Sequence, residues 1–197
     1  SDLSFIECNE IASCRFEADQ VTVQGCKMVN AVEFHARELR LENCWAVQAD
    51  QPVVLSVAGT VLIRSAPDNP RCKLRNLELR GTGGHLRLSH CALRKCAIAG
   101  EFEGVSISDS DLENCRLVAK TSRWEEAGVS HKADDKKSGI WAAEGKGELV
   151  LKEVELATLT VDSEVIANQC EDRSSVDLQH AFVDNEWEVL RDNYSGT

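Results

Sequence analysis

In the stretch Leu86 to Ala99, LRLSHCALRKCAIA, apolar residues fall at Leu86, Leu88, Cys91, Leu93, Cys96 and Ile98, in steps of 2, 3, 2, 3 and 2. A strand repeats about every 2 residues and a helix about every 3.6, so neither alone produces this rhythm. Short strands joined by sharp corners do, because each corner resets which side chain points inward.

The phrase recurs along the chain. Leu3-Ser4-Phe5 leads to Cys8, Val21-Thr22-Val23 to Cys26, Leu39-Arg40-Leu41 to Cys44, and Val61-Leu62-Ile63 to Ala66. Leu86-Arg87-Leu88 leads to Cys91, Val105-Ser106-Ile107 to Ser110, and Leu149-Val150-Leu151 to Val154. The starts lie 18, 18, 22, 25, 19 and 44 residues apart. A second ladder runs through Cys14-x-Phe16, Val32-x-Phe34, Cys72-x-Leu74, Cys96-x-Ile98, Cys115-x-Leu117 and Leu159-x-Val161, with Val53-x-Leu55 in the third unit. Two ladders in register predict an all-β fold, a parallel β-solenoid of about seven turns over residues 1–161. In such a fold like side chains stack inside and backbone hydrogen bonds run from turn to turn. Cys, Ala and Ser suit the tight corners, where a larger side chain would overpack a narrow interior.

The five-residue step in the later turns carries a family likeness. Cys91-Ala-Leu93-Arg-Lys, Cys96-Ala-Ile98-Ala-Gly, Ser110-Asp-Leu112-Glu-Asn and Cys115-Arg-Leu117-Val-Ala share one frame: a small residue, any residue, an aliphatic one, then two more. This resembles the pentapeptide-repeat family over about half of the chain and implies a right-handed parallel β-helix. Turns of 18 residues are shorter than that family's, so a broader right-handed β-helix stays open as the alternative. A left-handed hexapeptide solenoid needs an aliphatic residue at every sixth position, and Asn9 and Arg15, between Leu3 and Val21, break that frame.

Departures from the repeat predict loops at Pro67-Asp68-Asn69-Pro70 and Gly81-Thr82-Gly83-Gly84. The longest departure, 120–148, reads as an inserted loop. Its middle, His131 to Ser138, is charged and expected to be mobile and solvated. Trp124 and Trp141 are expected to anchor this loop on the solenoid. The functional alternative is contact with a partner, since Trp is favoured at binding hot spots. After Val161 the strand pattern fades, and 162–197 reads as a short helical cap or juxtamembrane segment. Ser174 to Asp177 suggests a capping box. Val183, Trp187, Leu190 and Tyr194 share one helical face, and Gly196 is a C-terminal stop. The candidate partner-binding residues are therefore Trp124, Trp141, Trp187 and Tyr194.

Composition narrows the function. Nine cysteines without a CxxC pair read as small buried hydrophobes, which implies a reducing compartment, a cytoplasm or the cytosolic face of an inner membrane. The net charge of -11 argues against direct nucleic-acid binding. The acidity is uneven: net -3 over 1–119, zero over 120–148 and -8 over 149–197. No run of about 18 apolar residues lies in the chain. The last dozen residues, Glu186 to Thr197, resemble the juxtamembrane stretch of bacterial membrane proteins with a pentapeptide-repeat head. That likeness implies a tether to a membrane beyond Thr197.

Candidate chemistry is sparse. Asp109 and Asp111 flank Ser110 as paired acids of the kind a glycosidase uses, though Asp is also an ordinary turn residue. His85 and His90 have no third ligand at metal-like spacing. Gly81 to Gly84 lacks the lysine and hydroxyl of a phosphate loop. No catalytic, metal-binding or cofactor-binding residue is assigned. The leading expectation is a non-enzymatic protein-interaction or scaffold module, with a dimer through the C-terminal end as one arrangement. Two alternatives remain. One, implied by the family resemblance, is a DNA mimic that binds topoisomerase. The other is a carbohydrate-active β-helix enzyme that uses Asp109 and Asp111.

Overall fold

In a computed structural model the chain forms a parallel β-solenoid; the residues described are 1–46, 51–69, 72–121, 123–132, 139–143, 147–152, 155–157, 160–161, 167–168 and 187–189. All regular elements among the described residues are strands. About six turns run from Asp2 to Thr121, and strands beyond them carry the ladders on.

Each turn visits three faces. The first face stacks Asp2–Ile6 on the second half of Arg15–Gln24, then on the second half of Glu33–Glu42, then on Val61–Arg64, His85–Ser89 and Gly104–Ser108. The second face stacks Ile11–Ala12, Lys27–Val29, Trp45–Ala46, Cys72–Arg75, Cys91–Arg94 and Asp111–Glu113. The third stacks the first halves of Arg15–Gln24 and Glu33–Glu42 on Val53–Val57, Leu77–Thr82, Ala97–Phe102 and Arg116–Thr121. Every pairing is parallel and in register, so equivalent side chains form columns.

The columns make the core. One column of the first face is Phe5, Val23, Leu41, Ile63, Leu88 and Ile107; the second face contributes Ile11, Met28, Ala46, Leu74, Leu93 and Leu112. The third contributes Phe16, Phe34, Leu55, Leu79, Ile98 and Leu117. Nearly all are buried, each at about 1.5–3 kcal/mol for a full-sized aliphatic or aromatic side chain. At the first turn Phe5 and Phe16 are only partly buried, and their rings lie 4.6 Å apart.

The corners follow a local rule. A residue in the left-handed region comes first: Glu7, Asn43, His90 and Asp109 (φ 52°, 51°, 52° and 46°), with Gly25 in the second turn. A small inward residue follows: Cys8, Cys44, Cys91, Ser110 and Cys26. Asn and Gly suit such positions because they carry little steric penalty there. The thiol then caps the corner. Cys44 Sγ donates to the carbonyl of Glu42, 3.2 Å away, and lies 3.2 Å from that of Val23 in the turn before. Ser110 Oγ makes the equivalent bond to the Ser108 carbonyl at 2.6 Å.

Three expectations are corrected. Cys72-x-Leu74 belongs to the second face, and Leu77-x-Leu79 fills the third-face ladder. The stretch 120–148 is not an insertion. Arg123–Ala127 pairs with Gly104–Ser108, Ser130–Lys132 with Asp111–Glu113, and Gly139–Ala143 with Arg116–Thr121, as one more turn. Gly147–Lys152 then stacks on Arg123–Ala127. Trp187 is not helical: Trp187–Val189 is a strand paired with Gly147–Leu149, as the β-propensity of Trp and Val permits. Ala167–Asn168, also in the expected cap, is a strand paired with Leu151–Lys152, and the rest, including Tyr194, lies outside the described residues.

Candidate functional site

The exposed second face is built by very short strands, so each turn offers it one or two outward side chains. Lys27, Trp45, Lys73, Ala92 and Asp111 stand in one outward column by their register. Arg75, Arg94, Glu113 and Lys132 form the other. Trp45 is 41% exposed, one of two large hydrophobic residues so placed among the described residues. It sits between two lysines, one in the turn before and one in the turn after. Farther along the face lies a shallow groove of about 420 Å³, lined by Lys73, Arg75, Arg94 and Lys132 together with Asp111 and Glu113, above the inward leucines.

The ion pairs of this face are unevenly shared. Lys27 Nζ lies 3.8 Å from Glu10, and Arg94 pairs with Glu113 at 2.9 Å. The side chains of Lys73, Arg75 and Lys132 are exposed and have no ion-pair or hydrogen-bond partner among the described residues.

A second polar cluster is sealed inside the turn that the sequence reading takes for a loop. Trp124 occupies the column of Val105, Glu126 that of Ile107 and His131 that of Leu112. Their relative exposures are 0%, 0% and 2%. Trp124 Nε1 donates to Glu126 Oε1 at 3.0 Å, and His131 Nε2 lies 2.6 Å from Glu126 Oε2. Both oxygens of the Glu126 carboxyl thus have partners, as buried polar atoms require. Trp124 is therefore a core residue rather than an exposed partner contact, and His131 is buried rather than solvated. No signal short of the register itself marks this cluster, because Trp-x-Glu does not read as an inward pair.

The other candidates sort by position. Trp141 shares a register position with Val118 and Ala99, and Trp187 lies on a strand; their side chains are outside the described part. Asp109 is a corner residue whose amide donates to the Ala127 carbonyl at 2.9 Å, and Asp111 is exposed on the second face. The two acids serve different places, a corner and a strand. His85 Nε2 lies 3.5 Å from Glu103, and His90 Nδ1 lies 3.9 Å from Asp109.

The eight described cysteines are all free thiols, six of them buried. Burial pushes the Cys44 thiol up to about 12. The hydrogen bond with Cys91, then burial, raises that of Cys72 well above the ordinary range. Such thiols stay protonated and unreactive. Among the described residues no group of three or more His, Cys, Asp or Glu could hold a metal ion. No helix among them is long and apolar enough to cross a membrane.

Compared with protein-family models, with curated proteins and with solved structures, the chain matches none.

Proposed function

We propose that this chain is a non-enzymatic interaction module that binds a protein partner along the second face of its solenoid. One observation carries the reading: Trp45 is held in the open between Lys27 and Lys73 on a rigid ladder. An exposed Trp is a costly surface residue, and Trp beside cations is a frequent composition of binding hot spots. A stacked ladder also holds its outward side chains at fixed spacing, which lowers the ordering cost of binding. A reducing setting, a cytoplasm or the cytosolic face of a membrane, fits a molecule with free thiols at its corners. The DNA-mimic alternative asks for acid along the rod, whereas this face is basic. The glycosidase alternative asks for convergent acids, whereas Asp109 is used by a corner.

A photo-crosslinking amino acid placed at Trp45 or Ala92 tests the proposal, with Ser106 on the first face as control. A discrete protein adduct from the second face and not from Ser106 is the expected result. Equal labelling from both faces, or no adduct from either, would overturn it.

A further inference from the structure

The second face has a chemistry of its own within an acidic chain. The protein as a whole carries -11, yet this face presents Lys27 and Lys73 beside Trp45, with Arg75, Arg94 and Lys132 along the turns beyond. Two of these cations are already occupied, Lys27 by Glu10 and Arg94 by Glu113. Three are not: the side chains of Lys73, Arg75 and Lys132 have no partner among the described residues. The first two flank the Trp45 end of the shallow groove, and Lys132 lies at its other end. The charge that is missing from this face is negative.

We infer that the face takes an acidic polypeptide segment, laid along the solenoid axis in extended conformation. This rests on the interaction reading above and names the chemistry of its partner. Carboxylates of the segment pair with Lys73 and Arg75, and an apolar side chain covers the Trp45 ring. The spacing is compatible. Neighbouring parallel strands lie about 4.8 Å apart, so Lys27 and Lys73, two strands apart, have backbones about 10 Å apart. In an extended or polyproline segment, residues three positions apart are separated by about 9–10 Å. Two acidic residues three positions apart therefore reach from Lys27 to Lys73 with an apolar residue over Trp45 between them, whereas a third at the same period would meet Asp111.

A long polyanion suits the face less well. Asp111 and Glu113 interrupt both outward columns, so a uniform phosphate backbone or an anionic membrane would meet carboxylates within the same strip. A peptide can place its charges selectively, and the net negative field of the whole molecule steers extended polyanions away.

The test uses the full chain and a fluorescent twelve-residue peptide with two glutamates, three positions apart, in a proline–serine background. Fluorescence anisotropy follows its binding at low and moderate salt. The expected result is saturable binding at least tenfold tighter than that of the same peptide with glutamine. It should weaken at least tenfold in K73E/R75E and measurably in the milder K73Q/R75Q, with folding checked by circular dichroism. E38K on the first face should leave it unchanged. Equal binding of both peptides, or none up to millimolar concentration, would overturn the inference. So would tighter binding of a single-stranded oligonucleotide of equal charge or of vesicles rich in anionic phospholipid. Self-association lost in K73E/R75E would assign the face to a second copy's acidic stretch and also overturn it. If a Trp45 crosslink captures a partner while no acidic peptide binds, the interaction module stands and the acidic ligand falls.

Discussion

His131 Nε2 and Glu126 Oε2 lie 2.6 Å apart inside a rod whose equivalent positions one turn earlier are Leu112 and Ile107. Register alone brings them together: one is carried by the first face, the other by the second.

Removing one partner leaves the other buried and unpaired. Glu126→Ile or His131→Leu alone is therefore expected to destabilise by about 3–5 kcal/mol. The double replacement restores the leucine-like columns of the preceding turn and should cost far less than the sum, with a residual of about 1–3 kcal/mol for the orphaned Trp124 Nε1. Urea denaturation of the two single variants and the double closes the cycle. Additive losses would show that the two side chains do not act as a pair.

At the corners, chemistry rather than sulfur is what the fold needs. Ser110 already does with a hydroxyl what Cys44 does with a thiol. Cys44→Ser should cost less than about 1.5 kcal/mol, whereas Cys44→Leu should cost about 1–3 kcal/mol by overpacking. Thiol-reagent kinetics gives a second readout. The buried thiols should react only as fast as the protein unfolds, and immediate labelling of Cys44 in the native state would contradict its burial.

Gly81 and Gly100 are paired in register on the third face, and the Phe102 ring packs over Gly81. A Cβ on Gly81 would clash with that ring, and one on Gly100 would clash with the Gly81 carbonyl. Gly100 also has φ +152°, which side-chain-bearing residues rarely adopt. Gly100→Ala should therefore lower the melting temperature by more than Ala99→Gly at the exposed neighbouring position. Similar losses in the two variants would mean that the close approach carries no energy.

Acid should weaken the first face through Glu42. Its Oε1 accepts from Arg40 Nε and Arg64 Nε, each at 2.6 Å. Burial by itself raises this carboxyl, but the two guanidinium hydrogen bonds outweigh it and hold the group below the usual range. A depressed folded-state value contributes stability above the unfolded-state value of about 4.3, and that contribution is lost as pH falls through the folded value. Glu42→Gln should flatten the acid limb of the stability profile by less than about 1 kcal/mol. Urea midpoints between about pH 3 and 7 would reveal it, and an unchanged limb would remove Glu42 from the account.

The first-face ladder is legible from residue type, because Leu3, Val21, Leu39, Val61, Leu86 and Val105 all keep the apolar-x-apolar phrase. It is lost at Trp124 and Glu126, where a buried carboxylate imitates a surface residue. That single exchange makes a full turn look like a 44-residue gap with a loop in it. The second face of the prism is hidden for another reason. Ile11, Met28 and Ala46 are lone inward residues on strands of two or three, too short to show alternation. Cys72 and Leu74 then slip into the wrong ladder. The basic strip is equally scattered along the chain, since Lys27, Trp45 and Lys73 become neighbours only through pairing across turns.

Val21 and Leu39 stand in one column, Gly25 and Asn43 at one corner, and Cys26 and Cys44 beneath it. Residues 21–38 are thus a removable unit: Gln20 joined to Leu39 should close into the same prism, shorter by one strand spacing of about 4.8 Å. Circular dichroism per residue should be unchanged, and loss of the β signal would show that the turns are not interchangeable. In such a molecule, length is counted in whole steps, and variation that inserts or deletes a step is gentler than a change of one buried atom.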